Sequence, residues 1–314
     1  MEFGEGTHAV GDSQERRHVS IAQAMFLMKE PRHEWFIVFD DDTFFVSLPH
    51  LLHALEPFDP KKPHFLGQVS ESRFHFHNAA FMPFGGAGTI LTGPVLKQIN
   101  DHYKTCIDRP RDNADVNPKP PGGDMLLKFC VEEADGTSTT SLELLPGLHQ
   151  VDLHGDPWGW YESGLMQLLT LHHYHTFAVF PMLEASLVTD VCGDCFLQRY
   201  RFQDETVFTN GVSIVKYPNG LEHIPFHKVE QTFTSSGPGE FTDSLGELRP
   251  KLTEGVGKLS WRFETAIKTD DGLVRQFYVS RDNEKNGVEG RPDSVYELIF
   301  HDSDSSRSLL HGWR

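Results

Sequence analysis

The stretch EWFIVFDDDTFFV, residues 34 to 46, constrains this chain more than any other. Trp35 to Phe39 is β-branched and aromatic, free of Pro and Gly, and too short for an ordinary helix, so it predicts a short buried strand. Asp40, Asp41 and Asp42 stand at its exit. Adjacent carboxylates repel one another, and holding three beside a buried strand is costly unless solvent or a cation compensates. A hard divalent ion such as Mg²⁺ or Mn²⁺ is the natural partner for such oxygens. Taken alone, the residues leave two readings open: a cation site, or a solvated acidic turn or helix cap.

Residues 18 to 29 (HVSIAQAMFLMK) predict a helix with Ile21, Met25 and Met28 on one face, ended by Pro31. Ser47 is placed to cap a helix over LPHLLHAL, with Pro49 in its first turn and Leu51, Leu52 and Leu55 as its apolar face. HFLG, residues 64 to 67, predicts a short strand. In FGGAGTILTGP, residues 84 to 94, the glycines at 85, 86 and 88 permit close backbone approach or positive φ. Thr89 to Leu91 look strand-like, and Thr92 with Pro94 opens a helix through Ile99. The spacing is not that of a dinucleotide or Walker phosphate loop, and a bend that only turns the chain is the competing explanation. Residues 108 to 123 are rich in Pro, Asp and Asn and predict a surface loop. It delivers GGDMLLKFCVEEA, an amphipathic helix with Asp124 at its start, where a carboxylate suits the helix dipole either as a plain cap or as a proton acceptor.

HQVDLHGDPWGWYESG, residues 149 to 164, is too irregular for a core element and predicts a loop that holds an acceptor or closes over a site. LLTLHHYHTF, residues 168 to 177, is extended; strand alternation puts His172 and His173 on opposite sides, so only one reaches a given ion. From residue 196 to 305, strand-like runs alternate with turns, and the Asn-Gly pairs at 210–211 and 219–220 predict hairpins.

The balance of 28 Lys plus Arg against 45 Asp plus Glu gives a net charge of -17, which argues against a nucleic-acid surface. A metal can still bridge carboxylates to the phosphates of a nucleotide. No stretch approaches a membrane span, and the first residues lack the apolar core of a signal peptide. Of the four cysteines, Cys192 and Cys195 in CGDC suit a local disulfide, half a metal site or two free thiols; one such pair does not predict zinc. Spacing alone does not decide whether Cys106 and Cys130 pair.

The ordered set of triple-Asp strand, GGAG strand, helix opening on Asp124 and His pair resembles the Fringe-like glycosyltransferases of glycosyltransferase family 31. The plant and fungal Fringe-related branch is most similar, through PGLHQVDLHGD, LTLHHYHTF, CFLQRY and VSIVKYP. The resemblance covers residues 18 to 220 well and the tail loosely. It implies an α/β fold, with a GT-A-like mixed sheet flanked by helices over residues 1 to 191 and a β-rich accessory region over 192 to 314. It implies metal-dependent, inverting transfer of a sugar from a UDP-sugar to a hydroxyl of a glycan, glycoprotein or other acceptor, forming a β1,3 linkage, with Mn²⁺ or Mg²⁺ as cofactor. Asp40 and Asp41 fall on the family's sugar-nucleotide motif and Asp42 on its direct metal ligand. His173 is similar in position to the metal-binding His, and Asp124 falls on the catalytic base. Gly85, Gly86 and Ala87 match the loop that lines the donor sugar and the acceptor groove. Relatives work in the Golgi lumen.

In that family a nucleotide-binding βαβ unit precedes the triple-Asp strand, whereas 34 residues precede Trp35 here. The expectation is therefore a sheet that lacks the first βαβ unit and any membrane anchor. Two other functions use the same residues. One is a relative that binds without turnover, favoured by the short N-terminus. The other is a metal-dependent hydrolase, which one convincing His serves poorly, because two-metal sites gather ligands from several strand ends.

Overall fold

A computed structural model describes residues 16–79, 81–108, 122–132, 140–165, 167–235, 240–281 and 292–301. Most of the loop expected at 108 to 123 therefore lies outside the described residues. The chain forms two compact units that interleave in sequence. The first takes Met1–Asp152, Leu168–His173 and Ser235–Ser244, and the second takes Leu153–Gln167, Tyr174–Thr234 and Leu245–Arg314. The division differs from a single cut between residues 191 and 192.

The elements of the first part of the chain are α1 (Arg17–Met28), β1 (Trp35–Val38), β2 (Phe44–Phe45), α2 (Leu48–Leu55), β3 (Phe65–Gly67), α3 (Arg73–Ala79), β4 (Thr89–Thr92), α4 (Gly93–Asp101), α5 (Tyr103–Ile107), α6 (Gly122–Glu132), β5 (Leu142–Leu144), β6 (Leu148–His149), β7 (Leu153–Gly155), α7 (Trp158–Ser163) and β8 (Thr170–Leu171). The first unit is built on a four-stranded mixed sheet of order β1-β4-β3-β5. Its β1–β4 and β4–β3 pairs are antiparallel and its β3–β5 pair is parallel. Strand alternation sends Phe36, Val38, Phe65 and Leu91 to one face, where they pack with Val19 and Ala22 of α1, Val95, Leu96 and Ile99 of α4, and Leu127 and Val131 of α6. Trp35, Ile37, Leu66 and Ile90 go to the other face, against Leu51 and Leu55 of α2. Burying a side chain such as Phe65 or Leu91 contributes about 2 kcal/mol.

The helix ends follow local chemistry. Ser47 Oγ accepts the His50 N–H at 3.3 Å, capping α2, and Thr92 precedes α4 with Pro94 in its first turn. A disulfide between Cys106 and Cys130, both buried, ties α5 to α6. Two expected faces change. Leu52 is exposed on α2, and α1 buries Val19 and Ala22 with Met25 and Phe26 against the sheet while Ile21 and Met28 face out. Both stripes of α1 are apolar, so periodicity could not choose between them.

The second unit continues with α8 (Met182–Ser186), α9 (Thr189–Cys192), β9 (Arg199–Arg201), β10 (Thr206–Thr209), β11 (Ser213–Lys216), β12 (Val229–Gln231), β13 (Phe233–Ser235), β14 (Leu248–Pro250), β15 (Leu259–Lys268), β16 (Val274–Ser280) and β17 (Ser294–Phe300). Six strands form an antiparallel sheet of order β17-β16-β15-β11-β10-β9. The β10–β11 hairpin turns at Asn210-Gly211, with Gly211 at φ 77°. Gly220 also has positive φ, but the chain leaves the sheet there instead of forming a hairpin.

Two expectations for this unit change. Residues 158 to 163 form the short helix α7, in which Trp160 and Tyr161 are buried, so aromatic content made this stretch core rather than a closing loop. Residues 174 to 191 belong with the later strands because α8 packs on β15. Cys192 and Cys195 form a disulfide just after α9. Inside the unit Lys258, almost fully buried, lies 3.2 Å from both Glu162 and Glu230, and Glu230 also holds Arg249 at 2.7 Å.

Candidate active site

The antiparallel β1–β4 register pairs Val38 with Thr89, so the exit of β1 lies beside the entry of β4. That brings Asp40–Asp42 next to a single 3₁₀ turn at Gly85–Ala87. The Thr43 N–H closes the acidic turn on the Asp40 carbonyl at 3.2 Å, and Thr43 Oγ1 donates to the Gly86 carbonyl at 2.8 Å. Next, β2 pairs antiparallel with β8, Phe44 opposite Leu171, so the residue after β8 emerges opposite the acidic turn. That residue is His172.

His172 Nε2 lies 2.7 Å from Asp42 Oδ1 and 3.6 Å from Asp40 Oδ2. Burial, followed by the neighbouring His173, holds its pKa below the ordinary histidine value against the pull of Asp42 and Asp40. It is therefore neutral at pH 7, and its Nε2–H donates to Asp42 Oδ1. His18, in the first turn of α1, behaves in the opposite way. Its Nδ1 lies 2.8 Å from Asp124 Oδ1 and its Nε2 3.6 Å from Asp40 Oδ1. Burial alone would lower its pKa, but the hydrogen bonds and charges of Asp124 and Asp40 together outweigh burial and raise it to about 9. His18 is an imidazolium at pH 7, and its contact with Asp40 lowers the pKa of that carboxyl despite partial burial.

The glycine turn lies directly under these groups. A Cβ on Gly85 would stand 2.6 Å from His18 Cε1 and overlap Asp124 Oδ1, and a Cβ on Gly86 would overlap the His172 ring. Close approach, not positive φ, is what requires glycine at both positions. The turn is pinned from the other side as well: Gln150 Oε1 accepts the Ala87 N–H at 3.1 Å, and Thr170 Oγ1 donates to the Ala87 carbonyl.

Of the residues expected from the sequence, Asp40, Asp42, Asp124, Gly85, Gly86 and Ala87 meet here. Asp41 is the exposed tip of the acidic turn. The histidine paired with Asp42 is His172, in place of the His173 that the resemblance implied. His173 has φ 46°, holds its ring 3.8 Å from that of His172 at a tilt of 34°, and puts Nδ1 3.6 Å from Asp152 Oδ1. The two rings lie together instead of on opposite sides because β8 ends at Leu171, so strand alternation no longer applies. His18 was not foreseen at all. A histidine in the first turn of an amphipathic helix carries no local signal, and only the packing of α1 and α6 on one core brings it to Asp124.

Among the described residues, no three His, Cys, Asp or Glu side chains form a ready-made metal site. Asp42 Oδ1 and His172 Nε2 could supply two donors. Adjacent ligands on an octahedral ion, each about 2.1 Å from it, sit about 3 Å apart, close to the 2.7 Å found here. The donors fit Mg²⁺ or Mn²⁺ in chemistry and spacing.

No curated protein matches the chain. Residues 74–191, which carry the glycine turn, Asp124 and both histidines but neither the acidic turn nor His18, match a family described as a protein of unknown function, DUF604.

Proposed function

We propose that this chain is a metal-dependent inverting glycosyltransferase of GT-A-like fold, which moves a sugar from a UDP-sugar to a hydroxyl acceptor and forms a β1,3 linkage. The reading rests on one observation. Asp42, His172, Asp40, His18 and Asp124 form an unbroken series of contacts, between 2.7 and 3.6 Å, over the Gly85–Gly86 backbone. The mixed α/β architecture and the match to DUF604, a glycosyltransferase-like family, support it.

In this reading Asp42 and His172 hold a divalent cation, Mn²⁺ or Mg²⁺, while Asp40 and Asp41 stand on the sugar-nucleotide side. An open, two-donor site would suit an ion of this class. When bound, the ion supplies positive charge where the departing diphosphate becomes more negative. The acceptor oxygen bonds to the anomeric carbon from the face opposite the diphosphate. The anomeric C–O bond breaks, its electron pair leaves with UDP, and the hydroxyl proton passes to Asp124. One such displacement inverts the anomeric centre. His18 holds Asp124 Oδ1, which leaves Oδ2 for the acceptor proton. Both disulfides would persist in an oxidising compartment, of which the Golgi lumen, where the resembling family works, is one. No described helix is long and apolar enough to cross a membrane.

The test is UDP release from a panel of UDP-sugars with Mn²⁺ and simple glycoside acceptors, beside calorimetry of donor binding. Asp124→Asn should lower turnover by about 10² to 10⁴ with donor and Mn²⁺ affinity kept. Asp42→Asn and His172→Ala should lose Mn²⁺ affinity instead. A protein that binds no UDP-sugar in the presence of Mn²⁺ overturns the proposal, and one that binds without turnover is a binding relative, not an enzyme.

A further inference from the structure

Behind the site lies a carboxyl group that the proposed reaction does not use. Glu71 and His149 are both fully inaccessible to solvent. Glu71 Oε1 pairs with His149 Nδ1 at 3.0 Å, and Oε2 accepts the Asp152 backbone N–H, also at 3.0 Å. These two contacts bracket Val151, whose side chain is fully buried and whose φ is 60°. A β-branched residue in the left-handed region is a genuine outlier, and such a conformation persists only where the surroundings over-determine it. The two-point grip of Glu71 on either side of Val151 is such a determinant.

The strained turn reaches the site by three routes. The His149 carbonyl accepts the His172 N–H at 3.0 Å. Gln150 Oε1 accepts the Ala87 N–H of the glycine turn at 3.1 Å. The Asp152 carboxylate accepts Ser70 Oγ–H and lies 3.6 Å from His173 Nδ1. Every residue from His149 to Asp152 except Val151 thus holds a piece of the site, and Val151 takes the backbone strain that lets its neighbours do so.

We propose that Glu71 is a positioning residue: by gripping His149 and the Asp152 N–H it holds the 149–152 turn in its strained form, and so sets His172 and the Gly85–Ala87 turn for binding a divalent cation. The cation part rests on the function proposed above; the grip on the turn does not. Replacing Glu71 with Gln keeps the shape, but with its oxygen on the Asp152 N–H its N–H₂ group faces His149 Nδ1, which must then give up its hydrogen to Nε2. Replacing Val151 with Gly removes the strain that the grip opposes. If Glu71 acts through the turn, the second change should rescue the first.

The experiment measures Mn²⁺ binding by calorimetry, with Mn²⁺ alone as the probe, and amide hydrogen exchange at Ala87 and His172 in the metal-free protein. Glu71→Gln should weaken Mn²⁺ by about 10- to 100-fold, as loss of an outer support does, and speed exchange at both amides. The double variant with Val151→Gly should recover most of both effects, and Val151→Gly alone should keep Mn²⁺ affinity near that of the unsubstituted protein while the cavity it leaves lowers global stability. Unchanged exchange in Glu71→Gln, or damage that Val151→Gly does not relieve, overturns the proposal. If the unsubstituted protein binds no Mn²⁺, the transferase reading fails, while exchange at Ala87 and His172 still decides the role of Glu71. Should Glu71→Gln not fold, Glu71→Asp, which shortens the reach by one methylene, takes its place with the same expected and overturning results.

Discussion

Gly85→Ala probes the His18–Asp124 pair without touching either residue. The new Cβ would overlap Asp124 Oδ1 and stand 2.6 Å from His18 Cε1, where ordinary contact begins near 3.4 Å, so both side chains must withdraw, the imidazole by 3.4 − 2.6 = 0.8 Å. Displacing both side chains disturbs the 2.8 Å contact between them. Overpacking of this kind costs about 1 to 3 kcal/mol. Losing the pair costs more at neutral pH. His18 rises from 6.5 to about 9 on folding, net of the opposing burial, so at 1.36 kcal/mol per unit its charging adds at most about 3 kcal/mol to stability. His18 is only 15% exposed, so solvent screening takes little from that ceiling. The sign is that of a raised histidine: the contribution is whole below pH 6.5 and disappears as pH rises through about 9. Urea unfolding at pH 7 should therefore show Gly85→Ala less stable by up to about 6 kcal/mol, shrinking at pH 10 to the overpacking cost of about 1 to 3. The His18 ring, followed by NMR, should titrate well below 9 in the variant. Gly93→Ala is the control, since its nearest neighbour would be Lys29 Nζ at 3.9 Å. A His18 midpoint still near 9, or a destabilisation that does not depend on pH, would refute the argument.

In the second unit, Lys258→Met should cost about 3 to 5 kcal/mol in urea unfolding, because it strips a buried partner from Glu162 and Glu230 at once; a cost under about 1 kcal/mol would mean that Arg249 alone suffices for the pair. The disulfides close loops of very different length, with separations of 24 and 3 residues. Chain entropy then predicts a loss of about 3 to 4 kcal/mol for Cys106→Ser and about 2 for Cys192→Ser; the reverse order would show that native-state packing outweighs loop closure. With Cys192 and Cys195 bonded to each other, purified protein should carry no stoichiometric zinc, and elemental analysis that finds zinc lost in the double Ser variant would contradict this.

Features that depend on a few neighbours in sequence were legible: the β1 strand, the Ser47 cap, the opening of α4, the Asn210-Gly211 hairpin. Each is decided by side-chain period or by one local hydrogen bond. What escaped was decided by partners far along the chain. α1 offers two apolar stripes, and the sheet chose Val19 and Ala22 over Ile21 and Met28. Lys258 reads as a surface residue until two carboxylates and an arginine are seen around it. The exchange of His173 for His172 turns on a non-glycine residue at positive φ, a conformation no local pattern announces. The candidate site divides in the same way. Its carboxylates and glycines stand in recognisable runs, while His18, Gln150 and Glu71 enter only through tertiary packing.

The triple-Asp turn can now be placed energetically. Three carboxylates at the end of a buried strand repel one another, and the fold answers with two imidazoles brought from opposite ends of the first unit's sequence, His18 and His172. Their surroundings push them apart in protonation. His18 shares two carboxylates, Asp40 and Asp124, whose hydrogen bonds and charges overcome burial and keep it positive. His172 also has two, Asp42 and Asp40, but burial and a second imidazole against its ring prevail and keep it neutral. One acidic turn thus has a charged imidazole on the Asp124 side and a neutral one on the Asp42 side. A pair of like groups driven to opposite charge states is how one site comes to hold distinct acid–base roles. A plain solvated acidic turn would need neither imidazole, nor two glycines cut back to make room for them.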